Sequence, residues 1–181
     1  MNVSMSLPHA LLTSLLEKPC SGYELARRFD KSIGFFWHAT HQQIYRELAK
    51  MEEAGWVSSV EVEGGRAGKK EFAVLDAGRA ALLAWLHTPS EPLHLRDGLM
   101  VRLRASAVTG EAGMPEELQR RLALHEEQLA VYRAIEQRDF QGTLSKEARL
   151  QYLILKAGIA YEEGRISWTR EAIAELQSAQ D

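Results

Sequence analysis

Thr40-His-Gln-Gln-Ile-Tyr-Arg-Glu-Leu-Ala-Lys-Met-Glu-Glu-Ala-Gly-Trp-Val57 decides the reading of this chain. The stretch is one helix with a start and a stop. Thr40 followed three residues later by Gln43 is the capping-box spacing, in which hydroxyl and amide satisfy orphan backbone N–H groups reciprocally. Gly55 supplies the stop. At about 100° per residue, Ile44, Leu48 and Met51 share one face and predict a core contact. Gln42, Arg46, Ala49 and Lys50 share the opposite face. Amides and a guanidinium suit the edges of bases in a DNA major groove, and Ala permits close approach. An ordinary amphipathic surface helix shows the same pattern, so the neighbouring segments have to decide.

Working outward, Leu7 to Glu17 reads as a first helix, with Ser6 as N-cap and an apolar stripe of Leu7, Leu11, Leu12 and Leu15. Pro19 ends it. Ser21-Gly-Tyr-Glu24 is a second capping box and opens a short helix to about Phe29. Leu25 and Phe29 point inward, and Tyr23 either joins them or is left for a ligand. An aromatic connection, Ile33-Gly-Phe-Phe-Trp37, leads into Thr40. After the third helix the period changes. Trp56 to Glu63 alternates at Val60 and Val62, Gly64 to Gly68 is a turn, and Lys69 to Val74 alternates at Phe72 and Val74. That is a β-hairpin with a glycine-rich tip. Asp76 is expected to cap a helix carrying Ala80, Leu83 and Leu86. Three helices followed by a hairpin is the winged helix-turn-helix order.

Thr88-Pro-Ser-Glu-Pro92 is a boundary. Leu95 to Val108 resumes helical spacing, and Thr109 to Gly113 breaks it. Pro115 then opens a long helix to about Phe140. In it Leu118, Leu122, His125, Leu129 and Tyr132 form a coiled-coil seam with one polar member. Ser145 caps a last helix to about Gln177. Leu150, Ile154, Ala157, Tyr161, Gly164 and Trp168 are expected to continue the seam, with Leu155, Ile159, Ile166 and Ile173 as a second apolar edge. Two edges exceed what one chain can cover, so a second copy is the expected partner. The fold class is therefore mainly α. A winged helix-turn-helix domain (three helices plus a β-hairpin wing) spans residues 1–88, and a long-helix dimerisation domain spans 89–181.

Composition sets limits. The 181 residues carry a net charge of −3, which excludes a globally basic nucleic-acid binder. Residues 1–88 hold 10 basic and 10 acidic side chains, and residues 89–181 hold 12 and 15, so the acidity lies in the second half. Arg66, Lys69 and Lys70 cluster at the hairpin tip, so DNA contact is expected from the first half. No apolar run approaches the roughly 18 residues of a membrane span. No signal peptide is visible, and the lone Cys20 precludes an internal disulfide, which makes a cytoplasmic protein the simple expectation. His38 and His41 lack metal-site company, and no catalytic motif is visible, so neither an enzyme nor a cofactor is expected.

The N-terminal motifs resemble those of the PadR family of bacterial transcriptional regulators. They are Leu7-Pro-His-Ala-Leu-Leu12, Ser21-Gly-Tyr-Glu-Leu25, Gln43 to Val57, Gly65 to Phe72, and Leu75-Asp-Ala-Gly-Arg79. Leu93 to Met100 and the two long helices look like the family's longer subgroup. Two departures stand out: Trp56 where Leu is common, and Phe72-Ala-Val-Leu-Asp76 at the end of the wing. Both leave the fold reading intact. The resemblance implies a homodimer, a palindromic double-stranded operator, repression in most members, and release by a small molecule or another cue.

On that reading Gln42 and Arg46 are the base-reading residues, Gln pairing adenine and Arg pairing guanine. His41 and Gln43 stand near the helix start, where phosphate contacts form, though capping competes for Gln43. Tyr45 and Tyr23 are divided between phosphate contact and packing. Lys50 is expected on the DNA backbone, and Arg66, Lys69 and Lys70 on phosphates or the adjacent minor groove. Trp37, Trp85 and Trp168 are candidate walls of an effector pocket, with plain core packing as the competing role. Cys20, next to Pro19 and before a helix, reads as a staple residue; because helix N-termini lower thiol pKa, a redox role is the alternative. The competing class is a winged-helix interaction or ligand-sensing module without DNA binding.

Overall fold

The computed structural model describes residues 6–35, 37–61, 70–91, 96–110 and 113–178. The chain packs as two compact units, residues 1–92 and 93–181. In the first, α1 (Ser6–Glu17), β1 (Cys20–Ser21), α2 (Gly22–Asp30), a 3-10 turn (Ile33–Phe35), α3 (His41–Glu53), β2 (Val57–Glu61), β3 (Lys70–Val74) and α4 (Asp76–Leu86) follow in order. In the second come α5 (Gly98–Thr109), α6 (Met114–Asp139) and α7 (Lys146–Ser178).

The first core is built from the expected rows. Leu11, Leu12 and Leu15 of α1 meet Leu25, Ala26 and Phe29 of α2, and Ile44, Leu48 and Met51 of α3. Arg28 closes the end of α1 from α2, donating to the carbonyl oxygens of Lys18 at 2.9 Å and Ser14 at 3.1 Å. The Ser14 carbonyl also accepts the Lys18 N–H at 3.3 Å, so Arg28 adds a second donor to the last turn.

The wing holds a strand that the hairpin reading did not contain. Cys20–Ser21 pairs antiparallel with β3, so the sheet order is β1-β3-β2 and β3 is central. The register sets Cys20 opposite Phe72, and Val57 opposite Val74. Two residues are too few to show a period, which is why β1 is invisible in the sequence. Val57 is buried in the core, whereas Val60 is 68% exposed. The alternation at Val60 therefore marks the solvent side. Val62 and the hairpin tip lie outside the described residues.

Two further expectations are corrected. Asp76 is the first residue of α4, not its cap; Leu75 holds the cap position, with no side-chain capping bond. Nor do Ala80, Leu83 and Leu86 face the core of this unit. Leu83 is 52% and Leu86 63% exposed, while Gly78 and Leu82 are buried. Close approach at Gly78 turns that face inward instead.

In the second unit, α6 and α7 pack along each other, with α5 against the start of α6. Asp97 caps α5, its Oδ1 accepting from the Leu99 N–H at 2.9 Å. Gly110, at φ 71°, ends α5 in the left-handed conformation. The α6 seam is as expected, with Leu118 and Tyr132 buried. The α7 seam is not. Its buried row is Ile159, Glu162, Ile166, Thr169 and Ile173, at steps of 3, 4, 3 and 4. Leu150 is 55%, Ile154 50% and Tyr161 60% exposed. Ile159, Ile166 and Ile173 are the expected second apolar edge, and two polar residues, Glu162 and Thr169, join it in the buried row. Glu162 is paired, its Oε2 lying 2.5 Å from Nδ1 of His125. The Thr169 hydroxyl donates to the Arg165 carbonyl at 2.7 Å. Burial of polar groups is tolerable when they are bonded in this way.

Candidate nucleic-acid interface

Helix α3 begins at a defined residue. The Thr40 hydroxyl accepts from the Gln43 N–H at 3.2 Å, and the Gln43 side-chain oxygen accepts from the Thr40 N–H at 2.8 Å. Its end is equally defined. Gly55 sits at φ 70°, its N–H bonds the Glu52 carbonyl and the Trp56 N–H bonds the Met51 carbonyl. That pair of bonds is a Schellman motif, and it turns the chain directly into β2.

Between these ends the side chains divide as their spacing predicts. Ile44, Leu48 and Met51 are buried, and Gln42, Arg46, Ala49 and Lys50 are exposed. Among the described residues, neither Gln42 nor Arg46 is engaged in a hydrogen bond or ion pair, so both are free to meet a ligand. Lys50 leans on Glu47 at 3.4 Å, a surface pair of little strength. Gln43 is committed through its oxygen to the cap, which leaves its amide N–H groups.

His41 is not free. Its Nε2 lies 2.8 Å from Oδ2 of Asp30, the last residue of α2. The sequence reading missed Asp30. The available signal was an acid at the C-terminal end of a helix, where the helix dipole disfavours it.

Tyr45 is 46% exposed, and its ring covers the start of α2: a Cβ built on Gly22 would lie 2.6 Å from the Tyr45 Cε1. Only glycine admits the ring at that distance. Tyr23 points to solvent at 62% exposure, with the Arg27 guanidinium 5.8 Å from its ring centroid. The inward option for Tyr23 is therefore overturned, and Arg27 joins it as an exposed cation not singled out from sequence. Lys70, the first residue of β3, is exposed. Arg66 and Lys69 lie outside the described residues.

The other candidates are dispersed. Trp37 packs on the first core, and Trp85 stacks on His9 with centroids 4.6 Å apart. Trp168 packs in the second unit, beneath the Arg165 guanidinium at 5.3 Å. An open groove between α6 and α7 is lined by Leu129, Ala130 and Ile166 and by the charged Glu126, Arg133, Glu163 and Arg170, and by none of the three tryptophans. Cys20 is buried, and burial pushes its thiol above the usual range despite the nearby Arg28. Residue 20 packs in the core, as the staple reading expects, and the lowered thiol of the redox alternative is not found.

Comparison with known proteins agrees with this layout. The transcriptional regulator PadR-like family matches residues 11–84, and the virulence activator alpha C-terminal family matches residues 95–177. A probable transcriptional regulator of Mycobacterium tuberculosis is 42% identical over 96% of this chain and 98% of its own. The structure of the Vibrio cholerae virulence activator AphA superposes with a TM-score of 0.82 at 32% identity, over 96% of this chain and 99% of that one. Bacillus subtilis PadR, solved in complex with operator DNA, superposes at 0.82 and 23% identity, with the same two coverages. The same regulator has been solved with p-coumaric acid, at a TM-score of 0.77 and 24% identity over 94% of this chain and 98% of that one. The fold, the two family matches and the identity to the mycobacterial regulator converge: this chain belongs to the PadR-like family of transcriptional regulators.

Proposed function

We propose that this regulator is a homodimer that reads a palindromic operator through α3 and represses transcription until a small molecule or other cue releases it. The observation that carries the reading is the division of α3. One row of its side chains is buried, its start is fixed by a capping box, and Gln42 and Arg46 stand exposed without hydrogen-bond or ion-pair partners among the described residues. Arg46 suits guanine and Gln42 suits adenine. Tyr23, His41, Gln43, Tyr45 and Lys50, with Arg66, Lys69 and Lys70 of the wing, supply phosphate contacts that orient the helix without reading sequence.

The exposed edge of α7, with Leu150, Leu153, Ile154 and Tyr161 at 50–60% exposure, supports dimerisation through the second unit. Two copies related by a two-fold axis would present two α3 helices to half-sites about 34–36 Å apart. Such a protein acts in the cytoplasm and needs neither cofactor nor catalysis. The described helices include none long and apolar enough to cross a membrane. An effector releases DNA only by preferring one arrangement of the protein to the other. The p-coumaric acid complex of the Bacillus relative supports an aromatic effector. Trp85, 40% exposed, is then the most accessible of the three tryptophan candidates beside Trp37 and Trp168.

The test is fluorescence polarisation with a duplex taken from the DNA upstream of this protein's own gene, set against a scrambled duplex, over a salt series. The expected result is preference for the native duplex, with log K falling linearly against log salt by about 0.9 per neutralised phosphate. Equal binding to both duplexes, or none, would leave an interaction module that has kept the winged helix without its DNA function.

A further inference from the structure

Asp30 is placed against local preference. It ends α2, where the helix dipole favours cations, and the rest of that last turn is basic, with Arg27 and Arg28. Its carboxylate reaches across the turn to His41, the first residue of α3, at 2.8 Å from Nε2. Both side chains are half exposed, on the rim of the surface assigned above to DNA. The contact ties the end of one helix to the start of the reading helix.

The chemistry of the pair limits what His41 can do. A carboxylate only accepts, so Nε2 must carry the proton that points at Asp30. In a neutral ring Nδ1 then bears a lone pair. A phosphate oxygen also only accepts, so the neutral ring has nothing to offer it. A ring protonated on both nitrogens donates to Asp30 and to a phosphate at once, with the carboxylate as counter-charge.

Among the described residues, no other ionisable group of the surrounding elements forms a hydrogen bond or ion pair with Asp30 or His41. Arg28 is spent on the α1 carbonyls and Arg27 lies over Tyr23. Lys50 pairs with Glu47, Glu52 accepts from Ser59, and Lys18 pairs with Glu24. Lys31, His38 and Arg46 are exposed and outside any ion pair among the described residues, and the Tyr45 ring covers Gly22. The 3-10 turn Ile33–Phe35 contributes no ionisable side chain.

We propose that Asp30 is a positioning residue for DNA binding: it holds His41 by Nε2, so that Nδ1 donates to a DNA phosphate and operator binding takes up a proton at His41. This rests on the DNA-binding reading above. Asp30 itself touches no DNA; it acts through the imidazole.

The test measures the Kd of the full chain for the upstream duplex from pH 5.5 to 8.5 at constant ionic strength. Wild type, Asp30→Asn, His41→Gln and His38→Gln are compared, with thermal unfolding of each recorded in parallel. In wild type, Kd is expected to rise with pH toward a limit of about tenfold per pH unit for each His41 engaged. Asp30→Asn is expected to bind within about threefold of wild type at pH 5.5 and at least about tenfold more weakly at pH 7.5, because the ring must be protonated without its counter-charge. His41→Gln is expected to abolish the pH component, and His38→Gln to leave it in place. A loss in Asp30→Asn that is equal at every pH would make Asp30 a mere tether and overturn the proposal. A wild-type Kd independent of pH would overturn it too, while leaving the DNA-binding reading intact. Failure to bind the duplex at any pH would overturn both.

Discussion

A Cβ added to Gly78 would lie 2.2 Å from the carbonyl oxygen of Trp56. That same oxygen accepts the Leu75 N–H at 2.9 Å, so α4 begins in direct contact with the end of the turn that follows α3. The obstacle to a larger residue is backbone, which cannot swing aside. Gly78→Ala is therefore expected to destabilise the first unit by about 1–3 kcal/mol, the range for overpacking a tight site. Urea unfolding followed by circular dichroism checks it. A variant as stable as wild type would show that α4 does not press on Trp56. Gly22→Ala is the contrast, because the obstacle there is the half-exposed Tyr45 ring, which can move.

Thr40 fixes where α3, the proposed reading helix, starts. Thr40→Ala removes the hydroxyl from the capping box and is expected to cost about 1 kcal/mol. In a unit of this size that is a fall of roughly 4–8 °C in Tm. DNA affinity is expected to fall with it, since the first turn carries His41, Gln42 and Gln43. Thr40→Ser is expected to restore both; calorimetry and polarisation on the same samples decide.

Arg46 and Lys50 lie one turn apart on the exposed face and are expected to fail differently. Arg46→Ala is expected to weaken binding to the native duplex about 5- to 150-fold, equivalent to about 1–3 kcal/mol, and to bind a scrambled duplex nearly as before. Lys50→Ala is expected to weaken both duplexes alike and to reduce the salt slope by about 0.9 per subunit. Neither should shift Tm, because both side chains are exposed. An Arg46→Ala protein with undiminished preference for the native duplex would remove Arg46 from the reading face.

Asp97 ties α5 to α7. Its carboxylate accepts from the Leu99 N–H and from Arg165 at 2.9 Å, and these contacts, the backbone bond first, hold its pKa below the ordinary 3.8. A carboxyl depressed in the folded state adds stability that is fully present above its unfolded pKa and lost as pH falls through the folded one. The second unit is thus expected to keep this contribution at neutral pH and to lose it only below about pH 4. Asp97→Ala removes a cap and strands Arg165, whose Nε is already buried without a partner among the described residues. It is expected to cost about 2–3 kcal/mol at pH 7 and much less at pH 3. Acid titration of both proteins by circular dichroism reads the difference. An equal gap at both pH values would mean that the carboxylate charge plays no part.

The sequence by itself determined the parts in which each residue's role is local. The capping box at Thr40 and Gln43, the stop at Gly55 and the buried row Ile44, Leu48 and Met51 depend on contacts within a turn or two, so spacing alone specifies them. The helix order and the exposed row with Gln42 and Arg46 followed for the same reason. Only the tertiary structure decided what depends on distant chain. Cys20 and Ser21 become a strand only because β3 lies beside them, and Cys20 is buried by that same packing. The inner face of α4 is chosen by the Trp56 carbonyl, 22 residues before Gly78. Glu162 and Thr169 sit inside the α7 seam because His125 on another helix and the Arg165 carbonyl of their own helix satisfy them; a hydropathy pattern scores both as surface. Asp30 reaches His41 across ten intervening residues. Backbone spacing repeats along a chain and can be read from it; the partner that makes a polar group buriable, or an acid useful, is supplied by the fold.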